Sequence, residues 1–397
     1  MSTVGDQFEV TLGKMLDAAK NTGEPKPYLG NRAVQWGRVD ISAAGVVPLT
    51  RSDLHRFRLQ HGDLLVCEGG EVGRSAIWRD ELPECYFQKA LHRLRAKRGY
   101  DVRLMLAFLV YWSSTGAFAD YVTQTSIAHL PREKFIRMPL PLPSKAEQQA
   151  IGDALEHADE FIRALERLIA KKRNIKQGMM QQLLTGRTRL AGFDGEWTTV
   201  TVGQLGSFLK GRGIKRDDVR SSGIPCIRYG ELYTTYVDYT ASTVSFVQPT
   251  IAATALPIRM GDILFAGSGE TKEEIGMSVA YVGDGPAVAG GDIIVLRGAG
   301  YDPIYLASLL NSPDVTAQKA RGGQGDAVVH INWRVLAGIK VTVPPLPEQR
   351  AIAEVLQDAD AEIASLERRL KAVRSMKTGM TQELLTGRTR LTMEDAS

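Results

Sequence analysis

Two segments of this chain, residues 147–190 and 348–391, repeat one another at a distance of 201 positions, with 24 identities in 44 aligned positions and no gap. The copies read EQQAIGDALEHADEFIRALERLIAKKRNIKQGMMQQLLTGRTRL and EQRAIAEVLQDADAEIASLERRLKAVRSMKTGMTQELLTGRTRL. A long repeat that occurs once in each half of a chain constrains its architecture. We therefore expect two equivalent units, each with a globular head followed by the repeated segment.

Apolar residues in both copies alternate at spacings of four and three, which is typical of a coiled-coil seam. The predicted helix–helix seam consists of Ile151, Leu155, Ala158, Ile162 and Leu165 in the first copy and Ile352, Leu356, Ala359, Ile363 and Leu366 in the second. Lys172, Lys176 and Lys377 are polar interruptions of this seam. A helix of about 38 residues would be roughly 57 Å long. Because the first helix leads into the second head and the second helix leaves it, the economical pairing is antiparallel.

Glycines mark two positions in each predicted helix. Gly186 and Gly387 suit the left-handed residue that follows a helix end. Gly178 and Gly379 lie inside the helices, where each should cost roughly 1 kcal/mol relative to alanine. Two explanations remain open for the interior pair, namely fraying near the helix end and close approach of another backbone.

The heads also repeat, more faintly. Gly-Tyr-Asp occurs at 99–101 and again at 300–302, and Gly-Asp followed by two apolar residues occurs at 62–65 and 261–264. Short β-type runs precede an apolar helix near residues 103–113 in one head and 304–311 in the other, and an apolar strand-like run closes each head at 135–143 and 339–347. These patterns predict α+β heads with glycine-rich turns.

The predicted fold is thus α+β, with two globular α+β heads separated by two long antiparallel coiled-coil helices and a pseudo-twofold internal repeat. The predicted boundaries are 1–143 for the first head, 144–190 for the first helix, 191–343 for the second head, 344–391 for the second helix and 392–397 for a tail.

Composition favours a globular chain, with 44% hydrophobic and 24% charged residues. No apolar run approaches the roughly 18 residues of a membrane span, and the first ten residues lack the features of a secretory signal. The three cysteines fit buried thiols better than a disulfide frame. We therefore expect a cytoplasmic protein without a membrane partner. The net charge of +4 permits a polyanionic partner without requiring one.

The motifs of common enzyme classes are missing. The sequence contains no GxxxxGK[ST] phosphate loop, no GxGxxG after a strand, no HExxH or CxxC pair and no GxSxG elbow. It also lacks the Asn-Pro-Pro-aromatic tetrapeptide of amino-group methyltransferases. His129 and His330, which are 201 positions apart, are more consistent with a repeated structural hydrogen bond than with two active sites. We predict no catalytic residues and no metal site.

Binding features are more prominent. Basic residues beside glycine occur at 68–74, 210–216 and 319–325, and residues 88–98 form a concentrated basic run. Arginine and lysine next to glycine suit phosphate contacts, although solvated charged loops explain the same pattern. One turn of B-DNA is about 34 Å, so two basic heads on a rigid rod would suit a bipartite, asymmetric DNA site.

Several stretches of the sequence resemble a known family, the DNA-specificity subunits of type I restriction–modification systems. PLPSKAEQQAIGDALEHADEFI and PPLPEQRAIAEVLQDADAEI resemble the starts of that family's two helical spacers, and LLTGRTRL resembles their ends. GDLLVCEGGEVGRSAIW, GDILFAGSGETKEEIG and GGQGDAVVHI resemble loops of its target-recognition domains. The resemblance covers nearly the whole chain.

The resemblance implies a non-catalytic subunit in which each head reads one half of a split site in double-stranded DNA. It further implies that the helices fix the spacing and dock methyltransferase subunits, two in number, which carry S-adenosylmethionine, and that motor-nuclease subunits add restriction. No cofactor is expected in this chain. Motif matching does not identify the base contacts, so we select DNA-binding candidates by residue type: Arg32, Gln35, Arg74, Lys89, Arg93, Arg212, Lys215, Arg228, Lys272, Arg321 and Gln324.

Two alternatives stay open at this stage. In the first alternative, the chain is a coiled-coil scaffold with two protein-binding heads. This alternative predicts no salt-dependent affinity for DNA. The second is an enzyme with an unrecognised site in a head, and it predicts activity by the isolated chain.

Overall fold

A computed structural model describes residues 2–17, 21–124, 128–325 and 327–391 of the chain. The chain divides into two compact units, Met1–Arg167 with Arg368–Ser397, and Leu168–Glu367. Each unit contains one head and one half of each long helix. The predicted boundaries separate heads from helices, whereas the compact units are divided in the middle of both helices. The predicted tail, 392–397, lies outside the described residues.

The first head is built from a central four-stranded sheet and a smaller three-stranded sheet. Its strands are β1 Ser2–Thr3, β2 Phe8–Leu12, β3 Glu24–Leu29, β4 Val34–Gln35, β5 Arg38–Val39, β6 Gly45–Leu49, β7 Leu64–Cys67, β8 Ser75–Ile77, β9 Tyr86–Phe87, β10 Leu91–Ala96, β11 Thr123–Gln124, β12 Ala128–His129 and β13 Pro139–Leu140. Its helices are α1 Val4–Gln7, α2 Arg51–Arg56, α3 Val102–Thr115 and α4 Arg132–Phe135, followed by the first long helix, α5 Lys145–Leu183. The central sheet has the order β2-β10-β7-β8, and the smaller has the order β6-β3-β9.

The second head repeats this plan. Its strands are β14 Thr198–Thr201, β15 Gly206–Lys210, β16 Ile224–Ile227, β17 Tyr239–Thr240, β18 Ser245–Val247, β19 Leu256–Ile258, β20 Ile263–Ala266, β21 Ser268–Gly269, β22 Ser278–Tyr281, β23 Ala287–Ala289, β24 Ile293–Gly298, β25 Val329–His330 and β26 Lys340–Val343. Its helices are α6 Tyr229–Thr234, α7 Pro249–Ala252, α8 Pro303–Leu310, α9 Pro313–Gly322 and α10 Trp333–Gly338, followed by the second long helix, α11 Leu346–Thr386. The sheets have the orders β15-β24-β20-β22-β17 and β18-β16-β23-β19.

The two heads share strand directions as well as strand order. The β3 strand pairs antiparallel with β6 and parallel with β9, and β16 pairs antiparallel with β18 and parallel with β23. The second head adds one edge strand to each sheet, β17 and β19. The two heads are therefore one scaffold used twice, which confirms the predicted internal repeat.

The central strand of each head is buried on both faces, which explains its unbroken apolar run. In β7, Leu64 and Val66 pack against helix α3, while Leu65 and Cys67 join the core beneath the smaller sheet. The β20 strand divides its side chains between two cores in the same way. Alternate residues of a strand point to opposite faces, so a strand covered on both sides needs apolar residues at every position.

The Gly-Tyr-Asp triplets connect each head to the start of the long helix that follows it. Asp101 caps α3 by accepting a hydrogen bond from the Arg103 N–H at 2.8 Å. The Asp101 N–H in turn donates to Gln148 Oε1 at 3.0 Å, and Asp302 N–H donates to Gln349 Oε1 at the same distance. The repeated aspartate and the repeated glutamine are thus the two ends of one contact.

The ends of the repeated segments are held by bidentate ion pairs. Arg189 donates through Nε and Nη2 to Glu348 at 2.9 and 2.6 Å, in the second unit. Arg390 donates to Glu147 in the same geometry at 3.0 and 2.9 Å, in the first unit. The last arginine of each TGRTRL motif therefore binds the first residue of the other copy of the repeat.

Ion pairs along the helices occur in matched sets and show that the pairing is antiparallel. In the first unit Lys377 pairs with Asp159, and in the second unit Lys176 pairs with Asp360 at 2.6 Å. The second set of matched pairs is Arg374 with Glu166 in the first unit and Arg173 with Glu367 in the second. The residue number of one helix rises as that of its partner falls, which confirms the antiparallel arrangement.

The predicted seam residues lie on the less exposed stripe of each helix. Ile151, Leu155, Leu165, Ile352, Leu356 and Ile363 are buried, and Ala158, Ile162, Ala359 and Leu366 are half-buried. The seam lysines are paired: Lys176 and Lys377 as described, and Lys172 with Glu362 at 2.6 Å. The polar interruptions of the seam are thus charge-balanced across the helix pair.

Some local predictions need correction. The strand expected at 135–143 is only Pro139–Leu140, because Phe135 ends helix α4 and its ring is buried in the core. The run at 339–347 forms a strand only over Lys340–Val343, and α11 begins at Leu346. No helix in the described part of the chain is long and apolar enough to cross a membrane.

The interior glycines do not mark close backbone contacts. A Cβ atom added at Gly178 or Gly379 would meet nothing within 4 Å. Gly186 and Gly387 have φ values of +68° and +71°, as predicted for residues after a helix end. The close-approach explanation for the interior glycines is therefore wrong within the described residues.

The two glycine classes should respond to alanine in opposite ways. We expect Gly379→Ala to stabilise the chain by about 1 kcal/mol, since alanine favours the helix and meets open space. The matched change Gly387→Ala should destabilise it by about 1–2 kcal/mol, because a Cβ atom disfavours positive φ. Thermal unfolding of both variants is the measurement. A lower melting temperature for Gly379→Ala would contradict the helical assignment at that position.

The two bidentate pairs should differ in importance. The Glu348 side chain is fully buried, whereas its counterpart Glu147 retains some exposure and Arg390 is largely exposed. Because an unpaired buried carboxylate is costly, Arg189→Ala should lower the melting temperature more than the matched change Arg390→Ala. Equal shifts in the two variants would mean that burial of Glu348 does not control the cost.

Candidate nucleic-acid interface

Each head presents one prominent loop at the same end of its central sheet. The loop at 68–74 joins β7 to β8 in the first head, and the loop at 267–277 joins β20 to β22 in the second. The predicted histidines lie beside these loops: His129 pairs with Gly69 through the backbone, and His330 with Ser268. His330 Nδ1 also forms a 2.9 Å hydrogen bond with Ser268 Oγ. The structural interpretation of His330 is therefore confirmed.

Arg74 shapes the loop of the first head from within. Its Nη2 donates to the Asn31 carbonyl at 2.8 Å and its Nη1 donates to Glu71 at 3.2 Å. Asn31 Nδ2 donates to the Gly69 carbonyl at 2.9 Å, and Trp36 Nε1 donates to Glu71 at 2.6 Å. The Arg74 side chain is only 17% exposed. Its guanidinium is engaged in holding the loop, and a DNA contact by Arg74 stays a prediction.

The other candidates of the first head, apart from Arg93, are exposed or half-buried. Arg32 lies on the 3-10 turn Asn31–Ala33, directly beside the residue that holds Arg74, and Gln35 Nε2 donates to the Arg32 carbonyl at 2.9 Å. Lys89 is exposed at the turn before β10. Among the described residues, neither Arg32 nor Lys89 has an acidic partner within ion-pair distance. The structure thus brings Arg32, Gln35 and Arg74 together.

Arg93 is not available for DNA. It is 4% exposed, its Nη1 donates to the Arg56 carbonyl at 3.3 Å, and its guanidinium lies 5.5 Å from the centroid of the Phe87 ring. The Arg93 prediction is therefore corrected to a structural role. The basic run at 88–98 was wrongly interpreted as a DNA-binding stretch. Most of it forms strand β10, whose alternate side chains point into the two cores.

Two further side chains of that run also bind partners within the head. His92 is buried and donates from Nε2 to the Leu130 carbonyl at 2.8 Å, and burial lowers the pKa of His92 to about 4. Arg95 forms a bidentate pair with Asp63 at 2.7 Å. The second head repeats this pair as Arg297 with Asp262. The charges of Arg93 and Arg95 are therefore used inside the head.

The candidates of the second head come from separate segments of the chain. Arg212, Lys215, Lys272, Arg321 and Gln324 are all exposed. Within the described residues, no ion pair involves Arg212, Lys215, Lys272 or Arg321. The backbone of Gln324 pairs with that of His330 at 2.9 and 2.8 Å, and His330 in turn pairs with Ser268 of the 267–277 loop. The structure therefore brings Lys272, Arg321 and Gln324 into one region.

Arg228 differs from these exposed candidates. It is half-buried, and its Nε donates to Glu231 Oε1 at 2.8 Å. Glu231 is buried and also accepts a hydrogen bond from Ser245 Oγ at 2.5 Å. The charge of Arg228 is balanced inside the head, so it is a weaker candidate than its exposed neighbours.

Lys319 is a residue whose role the sequence did not reveal. The sequence placed it in a flexible basic stretch, but it lies in α9, is 1% exposed and donates from Nζ to the Gly276 carbonyl at 2.7 Å. It therefore anchors the end of the 267–277 loop to α9, the helix that carries Arg321. Its spacing of four from Val315, a buried residue of the same helix, was the available signal.

Burial should make Lys319 a source of pH-dependent stability. It lowers the pKa of Lys319 to about 7, against about 10.4 in an unfolded chain. Between these values the unfolded chain holds a proton that the folded head does not, so stability should rise with pH from about 7 to about 10. We expect Lys319→Met to flatten this rise by about 1–2 kcal/mol, as measured by urea unfolding at pH 7 and pH 9.

The matched control for this measurement is Lys272→Met, which removes an exposed lysine from the neighbouring loop. It should leave the pH dependence of the wild-type chain unchanged. A Lys319→Met variant with the same pH slope as the wild type would show that the ammonium is not desolvated in the folded head.

The structure gives no support to a metal centre in the described part of the chain, where no group of three or more His, Cys, Asp or Glu side chains is placed to hold an ion. Cys67, Cys85 and Cys226 are free and buried, and burial raises the pKa of each thiol. Such thiols are poor nucleophiles at neutral pH.

A family comparison identifies the scaffold. The sequence model of the type I restriction modification DNA specificity domain matches residues 1–176 and 194–374, once for each head and its following helix. The chain belongs to this family. The resemblance to DNA-specificity subunits that the sequence showed is therefore confirmed.

Individual relatives are distant in sequence. The specificity subunit of the type I restriction enzyme MjaVIII from Methanocaldococcus jannaschii is 23% identical over 286 residues, and the match spans 67% of this chain and 66% of that subunit, just under two thirds of its length. The S subunit of a type I restriction–modification system from M. genitalium has a similar fold, with a TM-score of 0.59 at 16% identity, covering 98% of this chain and 96% of that one. A chain from a structural study of complex assembly and conformational transition of the type I R-M system also has a TM-score of 0.59, at 17% identity and 96% coverage of both chains.

Proposed function

We propose that each head of this specificity subunit reads one half of a bipartite, asymmetric site in double-stranded DNA. The observation that carries the proposal is the repeated scaffold with different loops. The same strands hold the loops at 68–74 and 267–277, yet the loops read EGGEVGR and GSGETKEEIGM. One scaffold that presents two different surfaces is suited to reading two different half-sites.

The exposed cations of the loops supply the expected electrostatic attraction. Arg32 and Lys89 in the first head, and Arg212, Lys272 and Arg321 in the second, are exposed and lack an acidic partner among the described residues. Phosphate contacts by such residues position a protein on DNA, while arginine, glutamine and asparagine side chains read base edges. We propose these residues for the DNA interface, together with Gln35, Arg74, Lys215 and Gln324.

The long helices take the second role. We propose that they fix the gap between the half-sites and dock methyltransferase subunits, two in number, and that motor-nuclease subunits join this assembly. On this proposal the chain is not itself a catalyst, and S-adenosylmethionine belongs to the methyltransferase subunits. The DNA that it reads would place its action in the cytoplasm.

Exchange of one head tests the assignment of half-sites. Replacement of residues 1–143 by the corresponding head of another specificity subunit should change one half of the methylated sequence and leave the other half and the gap unaltered. The measurement is a map of N6-methyladenine in cells that hold the partner methyltransferase, with and without the gene for this chain. A change in both halves would contradict the assignment of one half-site to each head.

The salt dependence of DNA affinity distinguishes this proposal from the alternative of a protein-binding scaffold. DNA binding through phosphate contacts predicts affinity that falls steeply with ionic strength, because bound counterions are released. A protein-binding scaffold predicts no such dependence. If deletion of the gene altered no methylated sequence despite an active partner methyltransferase, the DNA-reading proposal would fail.

A further inference from the structure

The second head contains a cleft beside strand β15. It has a volume of about 390 Å³, and its lining includes Lys210 of the basic stretch 210–216 and Gly267 of the loop at 267–277. Residues of four segments line it: Phe208, Leu209 and Lys210; Gly267; Asp292 and Ile294; and His330, Ile331, Asn332 and Trp333. We refer to it as the Phe208–Trp333 cleft. None of its residues was selected from the sequence as a DNA contact.

An exposed tryptophan and a half-buried phenylalanine form the apolar wall of the cleft. Trp333 is 47% exposed, and its ring centroid lies 6.3 Å from that of Phe208 with an angle of 32° between the planes. The Arg334 guanidinium lies 4.9 Å from the centroid of the Trp333 ring. A large aromatic side chain left exposed beside cations is a typical anchor of a binding surface.

Polar groups with free hydrogen-bonding capacity surround this wall. Asn332 Oδ1 accepts hydrogen bonds from the Arg334 and Val335 N–H groups. The Asn332 amide Nδ2 has no hydrogen-bond partner among the described residues. Asp292 is exposed with φ at +59°, and its carboxylate has no partner in the described part of the head. Lys210 is also exposed and unpaired by the same criterion. The cleft therefore offers a donor, an acceptor and a cation.

The first head fills the equivalent position. Arg132 corresponds to Trp333 at the repeat distance of 201, and Val10, which pairs with Leu94, corresponds to Phe208, which pairs with Leu296. Arg132 Nε donates to the Val10 carbonyl at 2.6 Å and so lies over the strand. The cleft is therefore a local departure of the second head from the shared scaffold.

We propose that the Phe208–Trp333 cleft reads a base of the second half-site and that Trp333, Asn332 and Asp292 determine its identity. Trp333 provides the apolar contact, Asn332 donates to a ring nitrogen or carbonyl of the base edge, and Asp292 accepts from an exocyclic amino group. Lys210 neutralises a nearby phosphate. Adenine and cytosine present an amino group in the major groove, whereas thymine and guanine present carbonyl oxygens there. The cleft thus favours adenine or cytosine at one position.

This inference rests on the proposed function, and its test keeps the two apart. The full-length chain is produced with its methyltransferase partner in a host without this methylation, and N6-methyladenine is mapped for the wild type, Trp333→Ala and Asp292→Asn. A wild-type chain that directs no methylated sequence would count against the proposed function. A wild-type chain that directs a split sequence makes the variants informative about the cleft alone.

The expected result is a change confined to one half of the sequence. Asp292→Asn should reduce discrimination at one position of the second half-site by about tenfold, in line with the 1–3 kcal/mol of a paired base contact. Trp333→Ala should lower methylation at all sites, whatever the sequence of their second half. Trp333→Phe should retain most of the wild-type methylation. The first half-site and the gap should not change.

Met260→Ala is the matched control. Met260 is a large apolar residue with 59% exposure in the same head, but it precedes β20, whereas Gly267 of the cleft follows that strand. Its removal should leave the methylated sequence unchanged. Wild-type methylation by both Trp333→Ala and Asp292→Asn would overturn the proposal. If Trp333→Ala failed to fold, as shown by its melting temperature, Asp292→Asn would decide alone.

Discussion

Antiparallel pairing of the two long helices is the constraint on which the rest of the fold depends. In each unit one half of the pair completes the core of the head: Ile151 and Leu155 share a core with Leu384 and Leu385 in the first unit. Leu183 and Leu184 share one with Ile352 and Leu356 in the second. A head is therefore covered by the start of its own helix and the end of the other. Neither helix serves one head alone.

Ion pairs within the seam fix the register of this pairing more than they add to its stability. A partly buried lysine–aspartate pair loses hydration on both sides, so its net contribution is small compared with apolar residues in the same place. Such a pair is more important because it disfavours other alignments of the two helices. Displacement of the helices by a few residues would leave Lys176 and Lys377 facing apolar side chains without a counter-charge. The lysines that interrupt the seam thus specify a single alignment.

The sequence predicted the helices and their pairing because these rest on local periodicity and on a repeat that is visible in the letters. The basic run at 88–98 was misread, since the partners that occupy Arg93 and Arg95 are Glu9 and Asp63, which are far away in the chain. The same holds for Lys319, whose burial depends on the loop that ends at Gly276. The cleft could not be predicted from the sequence for a related reason. Its walls come from four segments that only the folded sheet brings together. Contacts of high sequence separation leave little trace in composition or spacing.

The matched ion pairs have a consequence for the origin of the chain. Asp159, Glu166 and Glu147 of the first copy correspond to Asp360, Glu367 and Glu348 of the second, and each acid binds a base of the opposite copy. Every acid and every base of these three contacts is thus present within a single copy. A half-length chain with this helix would be complementary to a second molecule of itself, turned end to end. Duplication and fusion of one such half would preserve every contact while freeing the two heads to diverge.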